Sequence, residues 1–350
     1  MDLIIKPTEA CNFKCTFCSS TDIAPSKAIN LDLKKIYAFL ERYPDTRTII
    51  VNGGDPLIMA PEYYFELLSY IRKRNLPTTL SLTTNLWDFY KNPDKWTELF
   101  KHKKVGISTS FNYGDTRRIT KNKIFSEDIF WNVSNLFLEK VGYRPSFISV
   151  INDDNAYNAI DNVYLAKKMD VECKLNYAMA SGIQSKPFVL SKIYEIYVQI
   201  YKAGLTPWEF NTKQMLKRMV KAPTICPQNR TCDSNIRCLQ PAGDYYSCGA
   251  FGDDKEYSIN FEEEVILGEE TKKPLADSSD IFSLKSECLS CPMFEICNGC
   301  KKTIKDLQVH QLVEDHCVRM KRIAPDIVEL QEHTYESLQK IKDPTFTFEY

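Results

Sequence analysis

The sequence predicts an α/β chain: a partial (β/α)6, TIM-like barrel followed by a loop-rich, cysteine-rich region. Three observations predict it. Apolar strand segments and amphipathic helical segments alternate six times between Leu3 and about Lys202. Repeated strand–helix units give parallel strands with helices outside. Six units are two short of a closed eight-fold barrel, so the expected barrel is curved or partly open, with its site at the C-terminal ends of the strands. After about Thr206 the character changes: cysteines become dense, helices become scarce, and Pro223, Pro227, Pro241, Gly243, Gly249 and Gly252 punctuate the chain.

Taken in order, the strands are Leu3–Ile5, Thr48–Val51, Thr79–Leu82, Val105–Ser108, Phe147–Ile151 and Glu172–Asn176, each a short apolar run. The helices between and after them are Asp32–Arg42, Pro61–Arg74, Pro93–Phe100, Ser126–Lys140, Asn155–Met169 and Ser191–Lys202. Pro61 suits a first helical position, and Ser126 with Glu127 and Asp128 behind it reads as an N-cap. Tyr64, Phe65, Leu68 and Ile71 recur at helical spacing and predict a core-facing stripe. This divides the chain into a barrel (1–205), a cysteine-rich region (206–325) and a C-terminal helix and tail (326–350), the helix being Pro325–Ile341 and the tail starting at Pro344. Glu262–Glu264 and Glu269–Asp280 read as an acidic surface loop. Regular structure is too sparse in the middle region for packing alone, so metal crosslinks are expected to stabilise it.

The net charge of −1 over 350 residues gives no general electrostatic case for nucleic acid or a membrane surface. No apolar run approaches a membrane span, and Met1-Asp2-Leu3 does not open a signal peptide, so a reducing cytoplasm is the expected compartment. The thirteen cysteines are odd in number; in that compartment they point to metal ligation rather than disulfides.

The first strand runs into Cys11, Cys15 and Cys18, spaced C-x3-C-x2-C, with Phe17 before the last. Three thiolates on one loop can hold three irons of a four-iron cluster, leaving the fourth iron open to a small molecule. The alternative is zinc or buried thiols; zinc would want a fourth Cys or His, and none follows between Cys18 and His102. The spacing and its aromatic residue resemble the cluster loop of the radical S-adenosylmethionine (radical SAM) superfamily. After the second strand, Asn52-Gly53-Gly54-Asp55-Pro56 resembles that family's Gly-Gly-Glu-Pro motif, which holds the methionyl amine of SAM, with Asp55 in the place of the usual Glu. After the third strand, Thr84-Asn85 resembles a Thr-Asn of the family, a helix cap or turn being the alternative. Ser126 and Arg144 resemble, by placement, family residues reaching the SAM ribose and carboxylate; Arg144 reads equally as a surface arginine.

Farther on, Cys232, Gly243 and Cys248 precede Cys288-x2-Cys291-x5-Cys297-x2-Cys300 and Cys317. This resembles the SPASM extension of radical SAM enzymes, which carries two auxiliary four-iron clusters. The resemblance implies Cys226, Cys232, Cys248 and Cys300 as one ligand set and Cys288, Cys291, Cys297 and Cys317 as the other. The final spacing departs from the family's usual three residues. Zinc ribbons from the two C-x2-C pairs are the alternative. Cys173 and Cys238 are left over, the first expected to be a buried strand residue.

The resemblance spans approximately Leu3 to Met320. It implies SAM and three 4Fe-4S clusters as cofactors, one SAM-binding and two auxiliary, and hydrogen abstraction by a 5′-deoxyadenosyl radical. The preferred reading is a maturase that oxidatively modifies a peptide or protein through a crosslink, thioether or dehydrogenation. The alternatives are a small-molecule dehydrogenase acting on a sugar or aminocyclitol, and a non-enzymatic, zinc-stabilised interaction module. The expected partners are a peptide or protein substrate, recognised directly or through a separate leader-binding protein because the barrel starts at Leu3, and an electron donor such as flavodoxin or ferredoxin. Sulfatase-maturing relatives carry a basic Asp immediately after the cysteine matched by Cys248. Gly249 stands there in this chain, which leaves the catalytic base open, with Asp253 and Asp254 as candidates.

Overall fold

The computed structural model describes residues 1–19, 27–226, 232–268, 274, 291, 293–297 and 300–342. Cys288, the tail from Pro344 and all but Pro274 of the stretch Glu269–Asp280 lie outside the described residues.

Six strands follow the sequence reading closely: β1 (Asp2–Ile5), β2 (Thr48–Val51), β3 (Thr79–Thr83), β4 (Val105–Ser110), β7 (Ser146–Ile151) and β8 (Cys173–Tyr177). They pair in parallel in that order. Leu3, Ile5, Ile49, Val51, Leu80 and Leu82 alternate inward and are almost wholly buried, which fixes the register of each strand because a one-residue slip would expose the whole set. Outside the sheet run α1 (Leu33–Arg42), α2 (Pro61–Lys73), α4 (Pro93–Phe100), α5 (Glu127–Val141), α6 (Ala159–Met169) and α7 (Leu190–Lys202). Between β3 and α4 lies the short α3 (Trp87–Lys91), and between β4 and α5 lies a hairpin of β5 (Arg118–Thr120) and β6 (Lys123–Ile124).

The cysteine-rich region continues the same sheet. β9 (Ile236–Leu239) pairs in parallel with β1, Cys238 opposite Ile4, and antiparallel strands β10 (Tyr245–Tyr246), β11 (Ser258–Asn260) and β12 (Val265–Ile266) extend that edge. The other edge, β8, is closed by a carboxylate rather than a strand. Glu209, wholly buried, accepts from the Leu175 backbone N–H at 2.8 Å and from Asn211 N–H at 3.0 Å, and also from Thr212 N–H. The Asn211 side chain donates to the Leu175 carbonyl at 2.7 Å. The start of α8 (Phe210–Met219) thereby satisfies an edge that would otherwise invite another strand.

Helices are less scarce after Thr206 than the sequence reading expects: α8, α12 (Lys301–Val309) and α13 (Val313–Lys342) are all well formed, alongside the short α9 (Cys232–Asn235), α10 (Gly249–Asp254) and α11 (Phe294–Cys297). The buried face of α8 includes Asn211, Thr212 and Gln214, so its apolar periodicity is weak. The last helix begins at Val313 and carries Pro325 inside it. Met320, Ile323, Ile327 and Leu330 are buried at a regular three–four spacing where α13 packs on α7 and α8, and this packing outweighs the one backbone bond that proline removes.

Candidate active site

Two loops are zipped together at the C-terminal end of β1 and β2. Gly54 N–H donates to the Thr8 carbonyl at 2.9 Å and Asp55 N–H to the Ala10 carbonyl at 2.8 Å. Gly53 adopts a left-handed φ of +117°, and a Cβ on Gly54 would lie 1.9 Å from the Ala10 oxygen. Only glycine fits there. The close approach is between the Gly-Gly loop and the lead-in to the cysteine loop. A second strap holds the cysteine loop from the other side: Lys14 N–H donates to the Arg118 carbonyl at 2.8 Å and Thr16 N–H to the Thr116 carbonyl at 2.9 Å. Phe13 anchors it below, packed on Phe125 and Trp87.

Cys11, Cys15 and Cys18 line one cavity of about 440 Å³ together with Gly53, Gly54 and Asp55. Among the described residues, no three His, Cys, Asp or Glu groups stand close enough to hold a single metal ion. Cys11, Cys15 and Cys18 line the same cavity, and three thiolates are the set that a four-iron cluster with one open iron takes, each binding a different iron. Burial raises the Cys11 thiol well above its usual range, with Asp55 adding to the shift; a thiolate there needs a positive partner. Two N–H groups face its sulfur, Phe13 N–H at 3.4 Å and the Asn85 amide at 3.9 Å.

Asp55 is wholly committed within the protein. Its carboxylate accepts from Leu57 N–H at 2.9 Å, from Thr84 Oγ1 at 3.0 and 3.1 Å, and from Asn85 N–H at 2.8 Å. Burial pushes its pKa up to about 6 against these bonds. Thr84 and Asn85 therefore belong to the wall, and the Asn85 amide continues to Asn12 Oδ1 at 2.6 Å. The Asp55 carboxylate ties the Gly-Gly loop to the end of β3.

One residue that sequence reasoning missed is Arg117. It is 6% exposed and lines the cavity, with its guanidinium 5.1 Å from the centre of the Phe17 ring. Nε donates to Asn112 Oδ1 at 3.2 Å and Nη1 to Ser110 Oγ at 2.9 Å. Burial lowers its pKa, opposed by the thiols of Cys15, Cys11 and Cys18 and by Asp55. Its sequence signal is faint, an Arg-Arg pair in a polar loop.

The same cavity reaches Cys226, Cys232, Cys248 and Cys300, four residues far apart in sequence. Cys248 caps α10, its sulfur accepting from Phe251 N–H at 3.4 Å. Asp253 of α10 also faces the cavity and is ion-paired with Lys6. Asp254 does not line it: its carboxylate is 2.7 Å from Lys302 Nζ. Lys302 is also paired with Asp306, and the two carboxylates hold it above its ordinary pKa although burial works to lower it. Cys291, Cys297 and Cys317 lie outside this cavity, before α11, at its end and in α13. Cys173 is buried in β8, as expected of a strand residue. Cys238 is buried in β9, where burial pushes its thiol up to about 11 against the opposing charge of Lys6.

Ser126 and Arg144 are not brought to the cavity, which corrects their placement beside a cofactor. Ser126 is the N-cap of α5, accepting from Ile129 N–H at 3.5 Å. Arg144 stacks over Trp131 and donates to Asn135 Oδ1 at 2.9 Å. It precedes β7, so it sits at the N-terminal end of the sheet, opposite the site.

The chain is 25% identical over 339 residues to a cysteine-type anaerobic sulfatase-maturating enzyme of Clostridium novyi, covering 86% of this chain and 88% of the relative. Its fold matches anSMEcpe solved with bound AdoMet and a Cp18Cys peptide, with TM-score 0.66 at 15% identity over 95% of this chain and 99% of that one. It also matches Streptococcus suis SuiB bound to the precursor peptide SuiA, with TM-score 0.53 at 19% identity over 86% and 72%. The family model for the radical SAM superfamily matches residues 5–179, half of the chain, and the chain belongs to that superfamily.

Proposed function

We propose that this enzyme oxidatively modifies a side chain of a peptide or protein. The observation that carries the reading is one cavity lined both by Cys11, Cys15 and Cys18 and by Cys226, Cys232, Cys248 and Cys300. The sulfatase-maturating and SuiB relatives, whose solved forms hold peptides, support the substrate class. When bound, SAM and the cluster on the first three cysteines supply a 5′-deoxyadenosyl radical that takes a hydrogen atom from the substrate. The chain's own residues position and shield. Gly53 and Gly54 bring the backbone of one loop against the cysteine loop, leaving their edge for the methionyl group. Phe17 and Phe13 pack the loop against water entry. Cys226, Cys232, Cys248 and Cys300, which line the same cavity, would hold an auxiliary cluster, and Cys288, Cys291, Cys297 and Cys317 the other; when bound, the first would supply an acceptor for the electron left by substrate oxidation. Asp253, which faces the cavity and is ion-paired with Lys6, is the proton acceptor on the substrate side; it takes the role that Gly249 cannot. A flavodoxin- or ferredoxin-type donor supplies the reducing electron.

The test is anaerobic reconstitution with iron, sulfide, SAM and a reductant, then mass spectrometry of short peptides encoded beside the gene. A peptide losing two hydrogen masses, or gaining an internal crosslink, in step with 5′-deoxyadenosine supports the reading. Turnover of a sugar or aminocyclitol, with those peptides unchanged, overturns it.

A further inference from the structure

Arg117 is a buried cation without a carboxylate partner among the described residues. Its side-chain bonds, to Ser110 Oγ and Asn112 Oδ1, use Nη1 and Nε. The Nη2 donors meet no acceptor among the described residues, although the side chain is more than nine-tenths buried and faces the cavity. A buried charge left without a counter-charge is strongly unfavourable, so an anion belongs opposite it in the working protein. The candidates are the thiolates of Cys11, Cys15 and Cys18, which line the same cavity and are the first charges acting on it. The hairpin strap carries it there: Thr116 and Arg118 on either side bond to Thr16 and Lys14 through the backbone, and the guanidinium sits over the ring of Phe17, 5.1 Å from its centre and one residue before Cys18. Asp55 also acts on it, but its carboxylate is already occupied by Leu57, Thr84 and Asn85.

We infer that Arg117 is the electrostatic counter-charge of the cluster on Cys11, Cys15 and Cys18, and that it raises the reduction potential of that cluster. This rests on those cysteines holding a four-iron cluster. Reduction adds one electron and one negative charge to a site of low dielectric. A fixed cation beside it favours the reduced form, and charge and hydrogen bonding around the sulfurs are what set such potentials. The neighbouring Asn85 amide and Phe13 N–H act on Cys11 in the same direction.

The experiment is an EPR-monitored redox titration, without SAM, of reconstituted wild type, Arg117→Gln and Arg117→Lys. Both variants are made with all auxiliary cysteines present, and iron content is measured first. Arg117→Gln is expected to disfavour reduction about tenfold, a negative shift of about 59 mV for a one-electron couple, while Arg117→Lys stays near wild type. If Arg117→Gln takes up no SAM-binding cluster and Arg117→Lys does, the charge requirement holds at assembly. An unchanged potential in a loaded Arg117→Gln overturns the inference, as does loss of SAM affinity alone, which would assign the guanidinium to the carboxylate of SAM. Loss of the cluster from both variants makes Arg117 a strut and overturns it too. A wild type with no EPR-active cluster at all would instead remove the cluster assignment itself.

Discussion

Gly54 lies directly beneath the carbonyl of Ala10, so that a Cβ on it would come within 1.9 Å of that oxygen. The contact joins the motif after β2 to the residue before Cys11. The cysteine loop is shaped by its neighbour as much as by its own spacing.

Gly54→Ala should therefore fail before SAM binding is reached. Overpacking of this kind costs about 1–3 kcal/mol, here against backbone that cannot yield. The expected outcome is reconstituted protein lacking about a third of its iron, since three clusters of equal size are expected, with the remainder intact. Normal iron content would show that the two loops separate freely.

Asp55→Ala should destabilise the fold rather than simply weaken SAM affinity. It leaves Leu57 N–H, Asn85 N–H and the Thr84 hydroxyl without their buried acceptor, at about 1–3 kcal/mol for each unsatisfied group. Denaturant unfolding of the cluster-free protein measures this. An unchanged midpoint would mean the carboxylate is free for a ligand after all.

Glu209 gives a pH signature. Burial raises its pKa above the ordinary carboxylate value despite its backbone donors, so between the unfolded and the folded value the folded state binds more protons than the unfolded state. Its contribution to stability is present at low pH and is lost as pH rises through the raised value. Glu209→Gln should cost about 1–3 kcal/mol by turning an amide toward backbone donors, and that cost should shrink as pH rises through the window. Thermal unfolding at several pH values checks the sign; a cost that grows with pH contradicts it.

The strands were legible because each is a short apolar run bounded by polar or turn residues, and the cysteine loop was legible because its spacing is local. What stayed hidden depends on distant partners. Ile236-Arg237-Cys238-Leu239 reads as a loop until β1 offers it an edge. Arg117 reads as solvated until the 118–124 hairpin pins it under the cysteine loop. Chain order alone suggested Arg144, but a residue before a strand sits at the wrong end of a parallel sheet. Asp253 and Asp254 are adjacent in sequence, and only the fold separates them: Asp253 faces the cavity and Asp254 is turned to Lys302.

Cys232→Ala with Cys248→Ala should spare SAM cleavage and abolish modified product. These cysteines line the same cavity as the first three, and their cluster is expected to act after hydrogen abstraction. Because such a cluster also staples the fold, the variant must first be shown soluble and loaded at Cys11, Cys15 and Cys18. Wild-type yields of oxidised product from that protein would make the second cluster purely structural.

The most direct measurement compares reductive SAM cleavage by reconstituted wild type and by the triple variant Cys11→Ala, Cys15→Ala, Cys18→Ala. The account predicts 5′-deoxyadenosine from the wild type and none from the variant, which still keeps about two thirds of the iron on its auxiliary cysteines. Continued 5′-deoxyadenosine formation by the triple variant would contradict it.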